Sequence, residues 1–204
     1  MGSTYSAIKD GFNRTDEGPP PSSDWWTPAG VTGLKVVSNE LAANDNSICA
    51  AVWNADSFNA NCEASILIPT LPGTGAGVSV AIRVLDVFAG IKGYTLNLVV
   101  NAGNDDFRFR RVDSGVAITL KTVSTLNFSN GYGLLLRMIG DVMYGFYYNG
   151  SRWIYVDKYD TAGDGTKYQN GGYAGVLITD TTARCDVFRA GNIGYTPAVR
   201  VRMG

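Results

Sequence analysis

Residues 106–123 read Asp-Phe-Arg-Phe-Arg-Arg-Val-Asp-Ser-Gly-Val-Ala-Ile-Thr-Leu-Lys-Thr-Val. Phe107 and Phe109 fall on one side of an extended chain, and Arg108 and Arg110 on the other. That two-residue period belongs to a half-buried β-strand. Asp113-Ser114-Gly115 is a turn, and Val116–Val123 resumes the alternation. The same reading extends in both directions. Upstream, Val78–Leu85 and Tyr94–Val100 are β-branched and alternating; downstream, Gly133–Gly140 and Asp141–Tyr148 form a further pair. Asn149-Gly150, between Tyr147-Tyr148 and Trp153-Ile154-Tyr155, predicts a hairpin with positive φ at both central residues. Ser6–Phe12, Leu34–Val37, Ile48–Asn54, Cys62–Pro69, Gly172–Thr179 and Ala183–Ala190 complete the predicted strands. Only Ser38–Asn44 offers a turn of helix. Three consecutive prolines exclude regular structure over Glu17–Asp24, and residues 160–172 form a long polar loop.

Many short strands, regular turn signals and no 20–50-residue repeat predict an all-β sandwich. A chain of 204 residues makes one large domain of this kind. The expected division is a sandwich over residues 7–194, with an N-terminal arm at 1–6 and a C-terminal arm at 195–204.

Composition excludes several chemistries. The chain has no histidine, which removes Ser-His-Asp triads, histidine bases and histidine-ligated zinc. Three glutamates, Glu17, Glu40 and Glu63, are a poor stock for carboxylate-pair hydrolysis. Seventeen basic residues against 18 acidic ones argue against nucleic-acid or anionic-membrane partners. No apolar run approaches the length of a bilayer span, and the opening residues lack the features of a secretion signal. Cys49, Cys62 and Cys185 are odd in number and far apart, so reduced, buried thiols are expected.

Four short motifs then carry a resemblance. Ile8-Lys9-Asp10-Gly11-Phe12-Asn13-Arg14-Thr15-Asp16, followed by Trp25 or Trp26, resembles the opening of laminin-G-like, concanavalin A-like jelly-roll domains of the lectin-glucanase type. Leu34–Leu41 resembles their strand, polar turn and Asn-Glu-Leu step. Cys185–Asn192 resembles their closing Asp-x-Phe strand, and Tyr147–Gly150 stands where they place an Asn-Gly turn. The likeness covers about residues 7–194. It implies a jelly-roll sandwich of two antiparallel sheets with first and last strands side by side.

The resemblance implies two lines of function. Free-standing copies with the Asp-x-Phe-Asn-Arg opening look similar to virion proteins of tailed bacteriophages. The principal expectation is accordingly a structural protein of a phage particle, made in the host cytoplasm and located in the virion. Its most specific form is a capsid decoration (cement) protein bound to the major capsid protein, and a homotrimer suits local three-fold positions. Tyr5 and the alternating Val199, Arg200, Val201 and Arg202 would be assembly arms, adding as strands to a neighbour. The alternative is a carbohydrate-binding, lectin-like module with Tyr148, Trp153 and Tyr155 as an aromatic platform. The Glu-x-Asp-x-x-Glu motif of the related glucanases is absent, so no enzyme activity is expected. No cofactor is required; Ca²⁺ is the one candidate, through loop aspartates such as Asp157, Asp160, Asp164, Asp105 and Asp106. Arg108, Arg110 and Arg111 are expected to be neutralised by Asp105, Asp106 and Asp113.

Overall fold

The computed structural model describes residues 6–85 and 90–194. The assembly-arm residues Tyr5, Val199, Arg200, Val201 and Arg202 lie outside the described residues. Within them the chain is all-β, a jelly-roll sandwich with no helix. The strands in order are β1 (Ile8–Asp10), β2 (Trp25–Trp26), β3 (Thr32–Val37), β4 (Glu40–Ala43), β5 (Cys49–Phe58), β6 (Cys62–Thr70), β7 (Gly77–Val84) and β8 (Gly93–Val99). Then follow β9 (Asp105–Asp113), β10 (Val116–Leu126), β11 (Tyr132–Ile139), β12 (Val142–Tyr148), β13 (Trp153–Asp160), β14 (Gly172–Ile178) and β15 (Arg184–Asn192).

One layer runs β10-β9-β8-β7-β14-β5, with β2 on β5. The other runs β15-β6-β11-β12-β13, with β1 on β15. The β3–β4 hairpin turns the corner between them, β3 pairing parallel to β5 and β4 meeting β15 at Leu41. The far edges meet through Lys121 of β10, whose Nζ lies 2.7 Å from Asp157 of β13. The core fills the space between. Val78, Val80, Leu96, Leu98, Phe107 and Phe109 of the first layer face Ile66, Ile68, Leu134 and Leu136 of the second.

Two turn assignments differ from the sequence reading. Ser38–Asn44 is not helical. Ser38 and Asn39 take φ of 52° and 66°, so the chain reverses and β4 pairs with β3 from Val37↔Glu40 onward. Two central residues of positive φ match the right-handed twist of the flanking strands. The same geometry occurs at Ser114 (φ 50°) and Gly115 (φ 85°), between β9 and β10. At Asn149-Gly150, by contrast, only Gly150 has positive φ. The β12–β13 connection spans four residues between Tyr148 and Trp153, closed by Asn149 Oδ1 accepting from the backbone N–H groups of Ser151 and Arg152.

The opening motif is explained by one buried carboxylate. Asp10, 8 % exposed, accepts from Phe12 N at 2.8 Å, from Arg14 Nη1 and Nη2 at 2.7 and 2.9 Å, and from Trp25 Nε1 at 2.9 Å. Burial alone would raise its pKa; the bonds from Arg14, Trp25 and Phe12 outweigh that and lower it. Trp25 packs against Phe12, Trp53 and Phe188, tying β2 and β5 to the last strand. As the resemblance implies, the first and last strands lie side by side: Ile8 stands opposite Arg189, and Ser6 donates to Glu63. Cys49, Cys62 and Cys185 are all free and buried.

Candidate functional site

The outer face of the first layer carries a groove of about 910 Å³. Its floor follows from strand alternation. Val78 and Val80 point into the core, so Ser79 and Ala81 point out; Leu96 and Leu98 point in, so Thr95 and Asn97 point out; Phe109 points in, so Arg110 points out. Register aligns them. Leu177, Ser79, Asn97 and Arg108 form one row across β14, β7, β8 and β9. Gly175, Ala81, Thr95 and Arg110 form the next. Apolar residues toward β14 (Leu177, Gly175, Ala81) and polar ones toward β9 leave a depression with one polar side. A shallower arm of about 310 Å³ continues past Asn97 and Arg110 toward Gly75 and Asn101.

Loops raise the walls. On one side stand Ala29–Thr32 and Ser47–Ile48, on the other Gly90–Ile91 and the β9–β10 hairpin tip. Asp45 orders the first wall: its carboxylate accepts from Ser47 Oγ (2.5 Å), Ser47 N (2.8 Å) and Thr32 Oγ1 (3.0 Å). The bonds from Ser47 and Thr32 bring its pKa down to about 2. The second wall is tied by Gly115 N donating to Ile91 O at 2.9 Å. Gly90 (φ 95°) passes so close to the tip that a β-carbon there would lie 2.9 Å from the Ser114 carbonyl carbon. Ile48 (51 % exposed) and Val116 (66 %) form apolar lips.

The floor contains polar atoms without partners. Asn97 is 4 % exposed. Its amide nitrogen donates to Ser79 Oγ at 2.9 Å and Leu98 O at 3.2 Å, while its Oδ1 has none. Arg110 Nε is likewise buried and unpaired. The expected neutralisation of the three arginines holds for two of them. Arg108 pairs with Asp106 and Arg111 with Asp113, but Arg110 is left out, because its cross-strand neighbours are Thr95 and Thr119 rather than carboxylates. Burial first, and then Arg108, lower its pKa.

The proposed aromatic platform lies elsewhere. Tyr148 and Trp153 stand opposite each other at the β12–β13 tip with ring centroids 5.4 Å apart, and the Tyr148 hydroxyl donates to Gly150 O. Tyr155, 49 % exposed, packs edge-on against Phe146 at 5.6 Å. These three residues sit together on the outside of the second layer's edge and contribute nothing to the groove. Of the loop aspartates, Asp157 pairs with Lys121, Asp160 accepts from Ala162 N and Asp164 from the Tyr159 hydroxyl. They do not converge, and no group of three acidic, histidine or cysteine side chains gathers among the described residues. Glu63 is buried under bonds from Arg137 and Ser6.

No family model matches the chain, and no curated protein matches it in sequence. Solved structures do match in fold. Carbohydrate binding module CBM66 from Bacillus subtilis superimposes with a TM-score of 0.64 at 17% identity, over 83% of this chain and 96% of that one. The exoplasmic/lumenal domain of VIP36, in a form bound to Ca²⁺ and Man2, gives 0.65 at 10% identity over 95% and 90%. A GH43 protein, BlXynB from Bacillus licheniformis, gives 0.57 at 14% identity, with 95% of this chain covering 40% of that one. These likenesses establish a concanavalin A-like, lectin-type jelly roll.

Proposed function

We propose that this chain is a carbohydrate-binding module that holds a sugar in the groove on the outer face of its β10-to-β5 layer. The observation that carries the reading is Asn97 Oδ1: an acceptor on a buried side chain, unpaired, at the floor of a groove whose other polar side chains are hydroxyls and the Arg110 guanidinium. A buried acceptor without a donor costs about 1–3 kcal/mol, and a sugar hydroxyl supplies the missing donor. Ser79, Thr95 and Thr179 add hydroxyls beside it, and Ile48 and Val116 offer apolar surface to the C–H faces of a sugar ring. The volume is within the range of small-ligand sites. Two of the structural neighbours are described as carbohydrate-binding or mannose-bound, which accords with this use of the fold.

The module binds without cleaving. Among the described residues no carboxylate lines the groove, so they do not supply the acid pair that glycoside hydrolysis requires. Ca²⁺, present in VIP36, finds no convergent ligand set among the described aspartates, and no role is assigned to it.

Titration calorimetry on glycans retained from an oligosaccharide array tests the reading. Asn97→Ala is expected to weaken the retained glycan about tenfold, the worth of one hydrogen bond, with the fold intact. Loss of binding in Trp153→Ala or Tyr155→Ala, with Asn97→Ala unaffected, would instead move the site to the β12–β13 hairpin.

A second reading is favoured by one observation. The pairing of β1 with β15 sets Ser6 beside Gly191, so the chain enters and leaves the sandwich at the same end. That arrangement suits a module mounted on a larger particle, including decoration of a phage capsid as a trimer on the major capsid protein. Cryo-electron microscopy of such particles tests it: ordered copies on the shell support it, and a bare shell rejects it.

A further inference from the structure

We propose that the sugar taken by this groove is acidic, with Arg110 receiving its oxyanion, a carboxylate or a sulfate, while Asn97 accepts from a neighbouring hydroxyl. The inference rests on the carbohydrate-binding reading and narrows its ligand class.

Three observations carry it. Arg110 lines both the main groove and its shallow arm, so its guanidinium is central to the site. It lacks the carboxylate partner that Arg108 and Arg111 on the same strand each have. Among the described residues no aspartate or glutamate lines either compartment, and none of them offsets its charge. An arginine remains protonated at any physiological pH, and a half-buried cation without a counter-ion draws an anion from solution.

The choice of anion follows from shape. A guanidinium presents planar paired donors that match the two oxygens of a carboxylate or sulfate. Thr95, directly across from Arg110, offers a hydroxyl donor to the same group. Asn97, two residues further along β8 and so on the same face, is placed for a hydroxyl of the same ring. A neutral sugar would leave the charge uncompensated and gain little from Arg110.

Arginine elsewhere in the molecule shows the contrast. Arg83 is 1% exposed and also has no carboxylate, but it donates to three carbonyls, Ala60 O at 2.8 Å, Tyr168 O at 2.8 Å and Gly140 O at 2.6 Å. Its donors are occupied by the fold. Arg110 lines the groove, and its Nε has no partner in the fold.

The test uses the full chain in calorimetry with three probes: a uronic-acid oligosaccharide, the same oligosaccharide with its carboxyls reduced to alcohols, and a sulfated neutral oligosaccharide. The expected result is at least tenfold preference for an acidic probe over the reduced one, weakening with added salt. Arg110→Gln removes the preference and leaves the melting temperature unchanged. Arg110→Lys keeps the charge without the fork and retains only part of it. Arg152→Gln, on the exposed hairpin loop, leaves it intact. Preference for the sulfated over the uronic probe identifies sulfate as the source of the oxyanion. Equal binding of uronic and reduced forms, or an acidic preference that survives Arg110→Gln, overturns the inference while the carbohydrate reading stands. Absence of binding to any glycan overturns both.

Discussion

The Asp10 hub and the groove floor both place polar side chains against the sandwich, and they treat them in opposite ways. At the hub every acceptor of one buried carboxylate is used: Arg14, Trp25 and the Phe12 amide all converge on Asp10. At the floor, Asn97 Oδ1 and Arg110 Nε have no partner. A satisfied network inside a low-dielectric region rigidifies what it joins, and here it joins the first strand, β2 and the last strand. An unsatisfied group stabilises nothing and is a standing cost to the folded state. The same residue types therefore mark structure in one place and a binding surface in the other, and the sign of a mutation's effect on stability tells them apart.

The largest effect expected from breaking that comparison is at the hub. Asp10→Ala leaves Trp25 Nε1 and the Phe12 amide buried without an acceptor and takes from Arg14 its buried partner, leaving it Glu17 and the Pro21 carbonyl. A loss of about 2–6 kcal/mol in urea unfolding is expected, about 1–3 for each buried donor left without an acceptor. Ligand affinity per folded molecule should not change. A loss below about 1 kcal/mol would mean that the motif is not the clamp described.

The core behind the groove gives the next effect. Gly145 on β12 faces the ring edges of the groove-bearing layer. A β-carbon there would lie 2.5 Å from Phe107 Cε1 and 2.8 Å from Phe109 Cζ. Gly145→Ala should cost about 1–3 kcal/mol by overpacking. Because Phe107 and Phe109 alternate with Arg108 and Arg110, it should also perturb the groove, which Asp10→Ala should not.

At the floor the expected sign reverses. Arg110→Leu removes an uncompensated charge, so stability should stay within about 0.5 kcal/mol of the parent or rise. Glycan affinity falls at the same time, the exchange of stability for function seen at binding sites. A destabilisation comparable to that of Asp10→Ala would place Arg110 with the structural residues and remove the distinction.

How far the sequence reveals each region follows from the same contrast. The hub is local: Asp10, Phe12 and Arg14 lie within five residues and Trp25 follows closely, so a short motif contains it. The fold was legible too, because apolar alternation marks strands directly, and Phe107 and Phe109 are buried as the reading of 106–112 requires. The groove is non-local. Ser79, Asn97 and Arg110 come from strands, and Thr179 from the end of one, whose order, β9-β8-β7-β14, no short-range pattern contains. The outward placement of Arg110 was readable; its lack of a carboxylate was not, since Asp105, Asp106 and Asp113 are near in sequence and only the register shows whom they face. Asp105 turns inward to hold the Phe128 amide at 2.7 Å. The aromatic hairpin is the converse case, conspicuous in sequence and remote from the groove in space. Ser38-Asn39 contains no glycine to signal a hairpin, although both residues take positive φ.

The smallest effect concerns the groove wall and acid. Asp45 titrates at about 2 in the folded chain, against an ordinary value of 3.8, because Ser47 and Thr32 donate to its carboxylate. A depressed folded pKa means that the ionised form contributes stability above pH 3.8, and that this contribution is lost as pH falls toward 2. Asp10 and Asp180 are shifted the same way, so the whole protein weakens over that window and its melting temperature alone cannot isolate the wall. The informative quantity is the difference in melting temperature between the parent and Asp45→Asn. It should be small and constant from pH 7 to about 4, then shrink to nothing near pH 2, since only the parent loses a charge there. The protection of the Ser47 amide against exchange, relative to its intrinsic rate at each pH, should fall in the parent over the same interval, since the carboxylate accepts its N–H. A difference that stays level down to pH 2 would mean that the Ser47–Ile48 lip is held by backbone geometry and not by the charge on Asp45.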